Sequence, residues 1–218
     1  MFKKFLCAIV LVCCVGTTVN AQEKDSKKNQ FVIYAGPQLS TANGGASLSG
    51  KFSWLAGVQY ERMFGEGGFG MYAGGEYTAK GIKDYKLYNL SDYSSMKDEY
   101  NLNYIQLNLG VKYAKEIWGF NGFGEIGPYV AYGLGGSAKC DGYKMDDGSF
   151  GDWTSTVEGG VGFKKFDFGI NVAIGAEYNG FRLMVGYQQG LTDIAGERLA
   201  DGYKNYGFYA KVGYAFGF

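Results

Sequence analysis

The chain has 218 residues, with 37 Gly, only 2 Pro, 19 Tyr, 16 Phe, 3 Trp and no His. The absence of His excludes Ser-His-Asp and Cys-His catalysis and any His-ligated metal, and the aromatic content excludes a disordered chain. Lys+Arg and Asp+Glu balance at 21 each, which leaves no electrostatic footprint for nucleic acid.

The chain opens with a basic start at Lys3 and Lys4, an apolar run from Phe5 to Val15, and small residues at Val19 and Ala21. That order reads as a secretory signal over residues 1–21, cleaved after Ala21. The apolar run is shorter than the ~20 residues a helical membrane span needs. Cys7, Cys13 and Cys14 fall in this leader, so Cys140 remains alone and no internal disulfide is expected. Removal of Lys3 and Lys4 leaves 19 basic and 21 acidic residues, a net charge of −2. Residues 22–29 read as a short periplasmic lead-in, and 30–218 as one β domain.

From there the sequence alternates with period two, the signature of strands with two unlike faces. Segments near 30–40, 53–64 and 68–80 fit this pattern. In 104–113, Ile105, Leu107, Leu109, Val111 and Tyr113 oppose Tyr104, Gln106, Asn108, Gly110 and Lys112. A fifth segment lies near 122–135. In 166–178 the apolar face is Phe166, Phe168, Ile170, Val172, Ile174, Ala176 and Tyr178, and Asn179-Gly180 is a strong hairpin signal. Strand seven follows over 181–191. The last strand carries Tyr206, Phe208, Ala210, Val212, Tyr214, Phe216 and Phe218 on one face. Connections near 65–67, 116–121 and 179–180 are short. Those at 41–52, 81–101, 136–165 and 192–205 are long. Eight strands of about ten residues, with short turns at one end and long loops at the other, predict an all-β, antiparallel, up-and-down transmembrane barrel with both termini in the periplasm.

Two faces leave open which one is inside, since a soluble barrel turns its apolar face inward. Here the polar face is rich in Gly, including Gly36, Gly57, Gly74, Gly110, Gly127, Gly169, Gly175, Gly186 and Gly213. Small residues suit a narrow eight-stranded lumen. Its charges are mixed: Glu61, Glu76, Glu125, Asp167 and Glu177 against Lys80, Lys112, Arg182 and Lys211, which predicts an internal ion-pair network. On the apolar face, Trp54, Tyr77, Tyr132, Phe166, Tyr187 and Tyr206 fall at the loop end. Phe64, Phe69, Tyr113, Tyr178, Phe181 and Phe218 fall at the turn end. Two aromatic belts around an aliphatic middle predict an exterior in lipid.

Tyr104–Tyr113, Gly127-Pro128-Tyr129, Tyr187–Ile194 and the terminal Phe218 together resemble the PorT-type outer-membrane β-barrel domain. Asn108 stands where that pattern has Pro. The resemblance covers essentially all of 30–218. It implies a Gram-negative outer-membrane location and eight strands, and it implies no catalytic residues and no cofactor.

The candidate chemistry is correspondingly sparse. Asp141, Asp146, Asp147 and Asp152 in the loop at 136–165 lack the spacing and terminal Glu of a Ca²⁺ loop. Cys140 has no His to activate it. The lumen carboxylates have cations within reach for pairing, so neither a catalytic site nor a metal site is predicted. Tyr85, Tyr88, Tyr93 and Tyr100 in the loop at 81–101 mix with Ser, Asp and Asn, a chemistry suited to an extracellular or envelope partner. Tyr214, Phe216 and Phe218 resemble the terminal signal that outer-membrane assembly machinery reads. The expected role is non-enzymatic, through surface loops or as a structural or assembly factor. A small-solute pore is the alternative, opposed by a bore that side chains fill.

Overall fold

The computed structural model describes residues 29–43, 48–64, 68–86, 96–140, 143–145, 163–194 and 203–217. The strands are β1 (Asn29–Asn43), β2 (Leu48–Phe64), β3 (Phe69–Lys86), β4 (Met96–Ile117), β5 (Phe120–Cys140), β6 (Tyr143–Met145), β7 (Phe166–Tyr178), β8 (Phe181–Gly190) and β9 (Lys204–Gly217). Each wall strand pairs antiparallel with its sequence neighbours in the wall, and β1 closes the ring by pairing with β9, Ile33 opposite Tyr214. Eight strands therefore form a closed barrel with no free edge in lipid, as a spanning sheet requires. β6 is a three-residue return on the end of β5, outside the wall.

The alternation predicted for each strand is the alternation observed. Along β7, Phe166, Phe168, Ile170, Val172 and Ile174 are exposed while Asp167, Gly169, Asn171 and Ala173 are buried. Leu107 and Val212, both in the middle of their strands, are each 62% exposed, the reverse of a soluble barrel. The belts are built from ring pairs on adjacent strands. Phe69 and Tyr113 lie 4.8 Å apart at the turn end, and Tyr132 and Phe166 lie 5.2 Å apart at the loop end.

Several boundaries differ from the sequence reading. β3 continues to Lys86 and β4 begins at Met96, with Ile82 opposite Tyr100. The expected loop at 81–101 is thus largely a hairpin arm. β2 begins at Leu48 and β5 runs to Cys140, so the loops at 41–52 and 136–165 are also shortened by strand. Cross-strand hydrogen bonding continues past the apolar band, because a backbone pair is satisfied equally well in water and in lipid. Asn29, placed in the lead-in, already belongs to β1 and pairs with Arg62 of β2. The connection expected over 116–121 is a two-residue turn, Trp118-Gly119. The leader, residues 22–28 of the lead-in, Tyr88, Tyr93, the four loop aspartates and Phe218 lie outside the described residues.

The two prolines each interrupt a ladder. β1 and β9 pair at Ala35–Val212 and again at Gln38–Tyr209, with no pair at Pro37. β4 and β5 pair at Asn108–Tyr129 and at Val111–Ile126, with none at Pro128. Proline has no N–H to give the neighbouring strand. The glycine before each lies against the facing carbonyl, Gly36 on Ala210 and Gly127 on Leu109, a contact that leaves no room for a Cβ.

Candidate functional site

The lumen is where the sequence placed its charges, and all nine predicted residues point into it. They form three tiers rather than one network. Nearest the turn end, Glu61 accepts hydrogen bonds from Lys112 Nζ at 2.6 Å, Arg182 Nη2 at 3.0 Å and Gln59 Nε2 at 2.8 Å, and it also bonds Arg182 Nη1. Arg182 Nη2 donates to Glu177 at 2.6 Å. Glu125 completes the tier, 3.5 Å from Lys112 Nζ and hydrogen-bonded by Gln59 at 3.2 Å.

In the middle tier Glu76 accepts from Lys211 at 2.7 Å, Gln106 at 2.9 Å, Tyr34 at 3.0 Å and Gln188 at 3.2 Å. Toward the loop end Asp167 accepts from Lys80 and Asn205, both at 2.9 Å, and from Tyr129 at 3.2 Å. Glu61, Glu76 and Asp167 are each surrounded by donors, which is the condition for keeping an ionised carboxylate out of water.

The charges rest on aromatic rings, and the rings rest on glycines. Lys112 Nζ stands 4.2 Å over Phe123, Lys80 4.3 Å over Tyr129, and Lys211 4.3 Å over Tyr209 and 4.4 Å over Tyr34. These are cation–π distances. Directly across the ladder from the lumen aromatics sit glycines: Tyr72 faces Gly110, Phe123 Gly175, Tyr129 Gly169, Tyr209 Gly186 and Tyr34 Gly213. A Cβ at Gly110 or Gly169 would come within 2.6 Å of the facing ring. The glycines of the polar face therefore make room for rings lying across them. The narrow lumen expected from these glycines is filled by those rings. Tyr34, Tyr72 and Phe123 were not singled out from the sequence, and Tyr129 was named only within Gly127-Pro128-Tyr129. Their signal is an inward aromatic opposite an inward glycine, which is visible only once the register is known.

Above the third tier the lumen turns apolar. Ile82, Leu102, Tyr104, Phe163, Ile194 and Tyr203 form one buried cluster. Lys164 N donates to Ile194 O at 2.9 Å and Ile194 N to Tyr203 O at 2.8 Å, which draws the loop ends across the mouth. A hollow beside Lys80, Tyr129 and Tyr209 has a volume of about 10 Å³, room for about one water molecule.

The predicted partner-binding tyrosines divide. Tyr100 is not a free loop residue: it lies on β4, its ring 5.5 Å from Phe163 and packed against the apolar mouth cluster. That contact covers one side of Phe163 and leaves Tyr100 half-buried. Tyr85 lies on β3, and Cys140 ends β5. In the terminal strand, Tyr214 packs on Phe181 at 5.2 Å and on Phe216 at 4.8 Å within the turn-end belt.

A closed eight-stranded barrel, apolar outside with two aromatic belts and ion-paired inside, defines an integral outer-membrane barrel. The chain belongs to the outer membrane protein beta-barrel domain family, whose model matches residues 20–196, and its location is the Gram-negative outer membrane. Among solved structures it is similar to Ail, the attachment invasion locus protein of Yersinia pestis, at 12% identity over 87% of this chain and 99% of that one, TM-score 0.44. It is similar to Neisserial surface protein A (NspA) at 12% identity over 86% and 97%, TM-score 0.45. The N-terminal β-barrel domain of Pseudomonas aeruginosa OprF matches at 8% identity over 87% and 98%, TM-score 0.39. No curated protein sequence matches the chain.

Proposed function

We propose that this protein is a non-enzymatic outer-membrane barrel that works through its loop end, binding an extracellular or envelope partner, and that its bore carries nothing. The observation that supports this reading is the filled lumen: three ion-paired tiers beneath an apolar mouth cluster. Each of the nine predicted lumen charges is committed to a partner of opposite sign. What remains outside lipid is the arm made by β3, β4 and β5 beyond Lys80, carrying Tyr85, with Tyr88 and Tyr93 in the tip sequence. The narrower kinship to PorT-type barrels belongs to the same proposal and rests on Tyr104–Tyr113, Gly127–Tyr129 and Tyr187–Ile194.

The tip can be removed cleanly, because Lys86 and Met96 already pair. Replacing 87–95 with Asn-Gly closes the arm in a favoured hairpin turn. The trimmed barrel should keep its heat-modifiable migration and lose capture of its partner from membranes. Equal capture by both chains overturns the reading.

The reading also puts the turn end in the periplasm. In a Cys140→Ser background, Trp118→Cys should react with a membrane-impermeant maleimide only after the outer membrane is permeabilised, since Trp118 is fully exposed at the turn end. Reaction on intact cells inverts the barrel.

A further inference from the structure

Two connections in this barrel share one backbone and differ in chemistry. Asn179-Gly180 has φ of 49° and 83°, and Trp118-Gly119 has φ of 51° and 83°. Both are two-residue turns with left-handed central residues, the geometry that favours Asn or Gly at the first position. A bulky aromatic with positive φ is an outlier, and among the described residues Trp118 and Asn179 are the only non-glycines there. Packing within the protein does not compensate. Trp118 is 96% exposed, and the space at Gly119 is open to at least 4 Å. Such an outlier points to function outside the chain.

Its surroundings say what lies outside. Tyr113, Lys115 and Ile117 on β4 and Phe120 on β5 all face outward and are exposed. Ile117 pairs with Phe120, whose ring lies 5.0 Å from Tyr178 in the turn-end belt. The last pair of β3 with β4 is Phe69 with Tyr113. Ala114 N still donates to Gly68 O at 2.8 Å, so residues 115–117 carry the hairpin beyond its last described hydrogen bond to the β2–β3 hairpin, and Phe120 brings the belt to within two residues of Trp118. The tip continues the lipid-facing surface into the headgroup layer, with an outward cation at Lys115 among apolar neighbours. Trp prefers that layer, and Lys there attracts anionic phosphate.

We propose that Trp118, with Lys115, is a lipid anchor that seats in the phospholipid headgroups of the leaflet at the barrel's turn end. The proposal is independent of what the loop end binds.

The test starts from Trp118 itself, left as the single Trp by Trp54→Phe and Trp153→Phe. The protein is folded into phosphatidylcholine vesicles, with and without phosphatidylglycerol. Acyl-brominated lipid should quench the Trp118 emission, because Trp at the interface sits next to the acyl chains, and acrylamide should quench little. Emission open to acrylamide and blind to bromine overturns the proposal.

Trp118→Asn supplies a second reading, because it makes the turn Asn-Gly, the pair already used at 179–180. Its urea midpoint should match or exceed that of the parent in detergent and fall below it in vesicles. A midpoint that matches or exceeds the parent's in vesicles also overturns it. Phosphatidylglycerol should raise the parent's midpoint, and Lys115→Gln should abolish that rise. If the rise persists in Lys115→Gln, the headgroup contact assigned to Lys115 is wrong.

Discussion

Arg182 holds the turn-end tier together, and its removal should be costly in a way that a second substitution offsets. The tier contains three carboxylates, Glu61, Glu125 and Glu177, against two cations, Lys112 and Arg182. Arg182→Met leaves Glu177 with only the weaker hydrogen bond from Gln30 at 3.3 Å, and leaves Lys112 as the sole cation beside three acids. Removing one partner of a buried pair costs about 3–5 kcal/mol, and the Arg182 side chain is only 2% exposed. Glu61→Gln alone should cost less, because Lys112 retains Glu125 and Arg182 retains Glu177. The double variant returns the tier to the parent's charge imbalance of one excess acid. It should therefore lose about 1–3 kcal/mol less than the two single losses added together. The assay is urea unfolding from vesicles, followed by Trp fluorescence and by migration of unheated samples on gels. Losses that add to within about 0.5 kcal/mol would mean the residues act independently, and the tier would not be an electrostatic unit.

Val172→Arg, on the lipid face of β7, should lower stability by about 2–4 kcal/mol if it lies at the bilayer midplane; folding into vesicles equal to the parent's would invert the assignment of faces. Gly186→Leu should block closure, because its Cβ position is occupied by the Tyr209 ring. Gly75→Leu should be tolerated, since only Leu107 Cδ2 at 3.8 Å lies near. Heat-modifiable migration separates the two, and similar behaviour of both refutes the pairing of rings with glycines. In planar bilayers the purified protein should give no stable conductance; steady single-channel steps would show a bore that the tiers do not fill. Deleting Phe216–Phe218 should leave export intact and reduce outer-membrane insertion, because Phe216 pairs with Phe31 to close the ring and an open seam leaves backbone groups unsatisfied in lipid. Normal insertion, measured by fractionation, would sink that role for the last strand.

Period-two patterning was sufficient to separate lumen from lipid at Asp167 and Val172, at Lys112 and Val111, and along most of every strand. Side-chain direction in a strand is a local property that alternates whatever the neighbours are. The excess of Gly and the mixed charge on one face were enough to say which face is inside. The turn chemistry of Asn179-Gly180 is likewise written locally, whereas Trp118-Gly119 gives no such signal and is a turn only because the hairpin register demands one.

Contacts across the bore were beyond local reading. Lys112 meets Glu61 from 51 residues away and Arg182 meets it from 121. Their heights in the barrel depend on the stagger accumulated over every strand pair between them, so no strand's own sequence encodes the meeting. The register sets Tyr129 opposite Gly169, and the fold places Tyr100 against Phe163. Closure of the mouth was decided last, by the path that brings Phe163, Ile194 and Tyr203 together over the lumen, since apolar side chains at the end of a polar bore are buried only when the chain folds across it.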